Sequence, residues 1–238
     1  MPQDSTKLVV LGASSFIDLH TLIRDINAAG KERYEVIALL DDDPGKHGAK
    51  ICDVPVVGSL AKAREYADDI AFVLGVNNFA RRVRRLEIIR ELAFPLERFP
   101  RLIHPSCVIG DYAEVGFGTQ IYPFSSIKNT TTLGSFCVFF EYFAASTHVR
   151  VADGCLGGGR VSLLDSCTIS SCVFVGTGAV IAENVALGAG CMVGAHSLVT
   201  RKIQPGHFTM GNPATKQIPN ISLPIWLAEN EAATGISL

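Results

Sequence analysis

Residues 163–181 read LLDSCTISSCVFVGTGAVI, and every sixth position is aliphatic: Leu163, Ile169, Val175 and Ile181. Continuing that step outward meets Ile103, Ile109, Val115, Ile121, Ile127, Leu133, Phe139, Ala145, Val151 and Gly157 upstream, then Leu187, Val193 and Val199 downstream. Sixteen of these seventeen residues are apolar and no insertion breaks the count. Neither the 3.6-residue period of a helix nor the two-residue period of a strand produces such a series. Two positions before nearly every step lies a small or β-branched residue, Thr119, Cys137, Val161, Val173 and Ala179 among them. One position after it glycine recurs, at Gly110, Gly116, Gly134, Gly158, Gly176, Gly188 and Gly194. Three such hexads make one triangular coil, and coils stacked at the ~4.8 Å strand spacing bury a core that no single coil buries alone.

Two consequences follow from the register. Cys107, Cys137, Cys155, Cys167 and Cys191 take the small inward position, where a thiol acts as a weakly polar filler. Cys137 and Cys155 stack in adjacent coils within disulfide reach, but a reducing compartment leaves them as thiols. Gly157 is the one inward position without a side chain, and its partner one coil earlier is Phe139, the largest residue of the series. The ring is expected to lean into the space that the glycine leaves.

Residues 1–98 follow another pattern. A strand over 8–11 leads into Gly12-Ala13-Ser14-Ser15 and a helix over about 17–29. A second strand over 36–40 ends in Asp41-Asp42-Asp43, short strands follow at 54–57 and 71–76, and a helix runs over about 79–92. Alternating strands and helices predict a small parallel, Rossmann-like sheet, with ligands beyond the strand C-termini. There Gly12 and Ser14, at a helix N-terminus, suit a phosphate, while Asp41 and Asp42 suit a ribose or a base. The alternative is a plain strand–turn–helix with solvated aspartates. Arg81, Arg82, Arg84 and Arg85 could touch a pyrophosphate, but they read first as the solvated face of a helix. Prolines at 100 and 105 mark the boundary, so residues 1–98, 99–215 and 216–238 are expected to form the sheet domain, the β-helix and a tail.

The net charge of −2 and pI of about 6.3 recruit neither nucleic acid nor an anionic membrane. No apolar stretch approaches the ~18 residues of a membrane span, and no secretory leader is apparent, so a cytoplasmic protein is expected.

The VVLGASS strand–loop, the ALLDDDPGKHG and VPVVGS runs, RLIHPSCVIG, the uninterrupted hexads and MGNPAT together resemble the PglD/NeuD-like family of bacterial sugar acyltransferases. The likeness spans residues 7 to about 218. It implies a left-handed coil, a homotrimer, a nucleotide-linked amino sugar held by the N-terminal domain, and acetyl-CoA in the groove between neighbouring β-helices. Asp165, Ser166, Gly176, Gly194, Ala195, Asn212 and Pro213 are then the expected CoA-binding residues, with no metal. UDP-, dTDP- or GDP-linked acceptors for surface-glycan synthesis fit the resemblance, as does sugar O-acetylation or a non-catalytic nucleotide-sugar-binding relative.

The family's histidine falls four residues before an aliphatic step, followed by an acid. Here Thr147 holds that place and His148 follows it, while Ser15-Phe16 replace the family's glycines after the first strand. Histidine suits a general base near neutral pH. His148 is therefore the candidate base, with Glu141 orienting it and an N–H of Asp165–Ser166, one coil on, facing the thioester oxygen. Two mechanisms stay open: a bulge turns His148 into the cleft, or the amine arrives deprotonated and the protein aligns it. The zinc carbonic anhydrases of this fold need convergent histidines, which the spacing of His148 and His196 does not supply.

Overall fold

The computed structural model describes residues 5–220. Its N-terminal part is an α/β unit: β1 (Thr6–Leu11), α1 (Phe16–Ala29), β2 (Tyr34–Leu40), β3 (Lys50–Ile51), β4 (Val54–Gly58), β5 (Ala71–Leu74) and α2 (Arg82–Leu92). The sheet order is β3–β4–β2–β1–β5, parallel throughout except for β3 against β4. Both faces of β1 are apolar, as a doubly covered strand requires. Leu8 and Val10 pack with α1, and Val9 and Leu11 with the α2 side.

From Leu102 onward the chain forms three stacked sheets of two-residue parallel strands, which fit a left-handed β-helix. Face one carries Gln120–Ile121, Val138–Phe139, Leu156–Gly157 and Phe174–Val175. Face two carries Ser126–Ile127, Ala144–Ala145, Ser162–Leu163 and Val180–Ile181, and face three Thr132–Leu133, Arg150–Val151 and Thr168–Ile169. Each strand pairs with the one eighteen residues on, so equivalent hexad positions stack. The second residue of each pair and the small residue two before it fill the core. Cysteines 137, 155, 167 and 191 lie in that core as free thiols. Phe139 pairs with Gly157, and a Cβ built on that glycine would lie 3.0 Å from the Phe139 ring, so the ring does occupy the vacated space.

The three edges of the prism turn through left-handed residues every sixth position. The first edge has Phe124, Tyr142, Arg160, Gly178 and His196, the second Thr130, His148, Ser166 and Asn184, and the third Gly118, Phe136, Gly154, Cys172 and Gly190. A hairpin, His207–Gly211 with Ala214–Pro219, closes face one beyond the last coil, so sheet pairing continues past residue 215. Residues 221–238, which include most of the expected tail and Trp226, lie outside the described residues.

The α/β unit covers face one and the third edge. Leu102, Tyr122, Val138 and Leu156 pack with α1, and Phe136 and Cys172 with Leu86 and Phe99. Here the sequence expectation for the arginines is corrected. Arg82 and Arg85 are 3% and 0% exposed, because the first turns of α2 are pressed between the sheet and the β-helix. Arg85 donates to the carbonyls of Val76 and Phe136 and to Asn77 Oδ1, and Arg82 donates to the Gly190 carbonyl. Gln120 completes the seam by donating to the Leu74 carbonyl at 2.7 Å. Burial pulls the Arg85 guanidinium down to about 10, which leaves it charged at neutral pH.

Candidate active site

Two regions carry the residues singled out in the sequence. The first is a cavity of about 340 Å³ beyond the C-terminal ends of β1 and β2, lined by Gly12, Ser14, Asp41, Asp42, Asp43, Lys46, Arg81 and Arg84. All four expected substrate-binding residues meet there. Gly12 has φ +91°, and a Cβ on it would strike the Val76 side chain at 2.2 Å, so glycine is required where the turn crosses the end of β5.

Asp41 is turned inward. Its Oδ2 accepts from the Ala13 N–H and from Lys46 Nζ, both at 2.9 Å, and its Oδ1 accepts from the Asp43 N–H at 3.0 Å. Burial pushes its carboxyl upward, but the Ala13 N–H, Lys46 and the Asp43 N–H outweigh it and hold the group below the usual carboxylate range. Asp41 thus ties the β1 and β2 loops together. Asp42 is exposed, and its Oδ1 accepts from the Leu60 N–H at 3.0 Å. The Gly12–Ser15 turn differs from a phosphate cradle. The N–H groups of Gly12, Ala13, Ser15 and Phe16 donate to Leu40 O, Asp41 Oδ2, Gly75 O and Ala13 O. Of that run, only the Ser14 N–H has no partner among the described residues.

The second region is the pair of edges that flank face two. His148 stands exposed on the second edge with φ +58°. No bulge re-aims it: Arg150 and Val151 pair in unbroken register with both neighbouring coils. Thr147 is committed to the coil above, because its N–H and its Oγ1 both donate to Asp165 Oδ1 at 3.1 Å. That clamp repeats elsewhere, with Asn129 accepting from the Asp111 N–H and Asp153 from the Ser135 N–H. The Ser166 N–H donates to the Thr147 carbonyl at 3.1 Å and so is already used within the coil.

Glu141 is also exposed, but on the first edge, beside Tyr142. Seven residues of a six-residue repeat cross from one edge to the next, so within one chain Glu141 and His148 flank face two rather than touch. The expected cofactor residues divide the same way. Asp165 and Ser166 lie on the second edge. Gly176, Gly194 and Ala195 cluster at the first, where a Cβ on Gly176 would strike the Ala195 N at 2.6 Å and one on Gly194 the Met210 side chain at 2.8 Å. Asn212 and Pro213, joined by a cis peptide, form the adjoining hairpin turn, and the Gly211 N–H donates to Ser197 Oγ. Among the described residues no group of three or more His, Cys, Asp and Glu is arranged to hold a metal.

Sequence reasoning did not see that the first edge carries an aromatic ladder. Phe124 and Tyr142 are 59% and 51% exposed and stack 5.2 Å apart, and the Arg160 guanidinium sits 5.6 Å from the Tyr142 ring. An eighteen-residue spacing of bulky residues at the edge position is the signal that would have revealed it.

The fold defined by these features is a three-sided parallel β-helix with an N-terminal α/β unit. Solved structures share it over nearly the whole chain. One is a mutant of perosamine N-acetyltransferase from Caulobacter crescentus in complex with CoA and GDP-perosamine (23% identity, TM-score 0.74, covering 89% of this chain and 96% of that one). WeeI from Acinetobacter baumannii matches equally well (23%, 0.74, 90% and 100%). The acetyltransferase domain of PglB from Neisseria gonorrhoeae, in complex with acetyl coenzyme A, is a further neighbour (22%, 0.63, 90% and 100%). At these identities the likeness establishes the fold. No protein-family profile and no curated protein matches the sequence.

Proposed function

We propose that this protein is an acetyl-CoA-dependent N-acetyltransferase acting on a nucleotide-linked amino sugar, in bacterial surface-glycan synthesis in the cytoplasm. The observation that carries the proposal is the near-complete structural match to a protein in complex with CoA and GDP-perosamine, in a chain that has a polar cavity beyond the ends of β1 and β2. Residues 1–98, as a Rossmann-like unit, hold the nucleotide sugar and residues 99–215 the acyl donor.

The protein acts as a homotrimer with face two toward the three-fold axis. Supporting this, face one is covered, while the outward residues of face two, Ser126, Ala144, Ser162, Val180 and Leu198, carry no charge. In a closed ring about that axis the first edge of one copy lies beside the second edge of the next. Glu141 and the Gly176–Ala195 cluster then meet His148 and Asp165 of the neighbouring copy, which joins the two halves separated within one chain. His148 takes a proton from the sugar amine as nitrogen attacks the thioester carbonyl. The C–S bond breaks, and the departing thiolate receives the proton. Glu141 orients the imidazole.

Thiol release from acetyl-CoA, followed across a panel of UDP-, dTDP- and GDP-linked amino sugars, tests this function. Release dependent on one such acceptor is the expected result. No acceptor-dependent release with any member would remove the proposal.

A further inference from the structure

The Gly12–Ser15 turn leaves the nucleotide cavity short of anion-binding groups, and the surrounding side chains identify what replaces it. Three cationic residues line the cavity. Lys46 is paired with Asp41 at 2.9 Å. Arg84 is held by Glu91 and, at 3.5 Å, by Glu87. Arg81 is exposed at the start of α2, and among the described residues its guanidinium has neither hydrogen bond nor ion pair. The same cavity also has acidic lining: Asp42 and Asp43 each have one carboxylate oxygen occupied by a backbone N–H, of Leu60 and Gly45 respectively.

The cavity therefore combines one uncommitted positive charge with acceptor-rich, negative groups. We infer that Arg81 is the diphosphate anchor of this site, gripping the nucleoside diphosphate directly, and that the Ser14 N–H assists it. The Gly12–Ser15 turn, whose remaining N–H groups are spent on Asp41 and the neighbouring strands, is scaffold. This inference rests on the nucleotide-sugar reading above and sharpens it. The charge layout also sets direction. Phosphates are repelled by Asp42 and Asp43 and drawn to Arg81, while ribose hydroxyls or base N–H groups face the aspartates. A guanidinium suits the task because its planar fork takes two phosphate oxygens at once.

Isothermal titration of the full-length protein with UDP, GDP and dTDP, each beside its own nucleoside, tests the assignment. The wild-type protein is expected to bind one diphosphate at least about tenfold more tightly than the matching nucleoside, the scale of one charge-assisted contact at an exposed site. Arg81→Ala should abolish that preference while leaving nucleoside binding unchanged. Arg81→Lys should keep part of it, and Arg84→Ala should keep nearly all of it. A diphosphate preference in Arg81→Ala within twofold of the wild-type value overturns the inference and leaves the nucleotide-sugar reading standing. Equal weakening of diphosphate and nucleoside overturns it as well, since the residue would then shape the cavity rather than grip charge. A wild-type protein that binds none of the six ligands removes both.

Discussion

Gly157→Leu tests the packing of the β-helix at its tightest layer. Gly157 lies in a strand without positive φ, so a side chain meets no backbone strain there and any penalty is steric. Its Cβ would stand 3.0 Å from Phe139 Cδ1 and 3.5 Å from Phe143 Cδ2, and those two rings already stack at 4.1 Å. A single methyl must push one ring by a few tenths of an ångström, whereas an isobutyl group must displace it. Overpacking of this kind costs ~1–3 kcal/mol. Phe139→Ala, which empties a site only 2% exposed, should cost ~3–5 kcal/mol. The double variant exchanges the large and small partners across one coil and roughly conserves volume, so it should be at least ~2 kcal/mol more stable than the two single losses added together. Urea unfolding followed by circular dichroism supplies all three values. Additivity within ~0.5 kcal/mol would show that positions 139 and 157 do not share a layer, and the hexad register would fall with it.

The other predictions concern single groups. Asp41→Asn should destabilise by ~1–3 kcal/mol through lost charge-assisted bonds. Because the folded carboxyl is held low, its contribution is present above the unfolded value near ~3.9 and is lost as pH falls through the folded value, so the variant's acid limb of stability should be flatter. A variant with unchanged acid dependence would contradict this. Arg85→Met should cost more than ~2 kcal/mol in thermal or urea unfolding, since buried carbonyls lose their donor; a neutral result would mean the seam is not held there. Of seven cysteines only Cys52 is exposed, and burial pushes Cys172 and Cys191 up to about 12 and Cys167 to about 11. A thiol reagent should therefore label native protein rapidly at Cys52 alone, and several fast thiols would refute the core placement. His148→Ala should lower kcat ~10²-fold and remove the acidic limb of the pH–rate profile; a surviving limb would take His148 out of the mechanism.

The β-helix was legible because a six-residue period has no competing local explanation, and the Phe139–Gly157 exception followed from the same count. The arginine run was misjudged for a tertiary reason. A sequence such as RRVRR reads as solvated until the sheet and the third edge are both known to press on it. Asp41 was found, but its inward turn depends on the Ala13 N–H and Lys46, which approach only in the folded loops. Glu141 and His148 belong to successive hexads, whose turns fall on different edges, so within one chain they flank face two rather than share an edge. The same arithmetic points to a neighbouring copy.

Subunit mixing shows whether each site is built from two copies. Glu141→Ala and His148→Ala chains, each inactive alone, are unfolded together, refolded in equal amounts and assayed for thiol release. If each site takes Glu141 from one copy and His148 from the next, about a quarter of the sites regain both residues and activity returns to about a quarter of wild type. Mixed trimers that assemble yet remain as inactive as either parent would contradict the account.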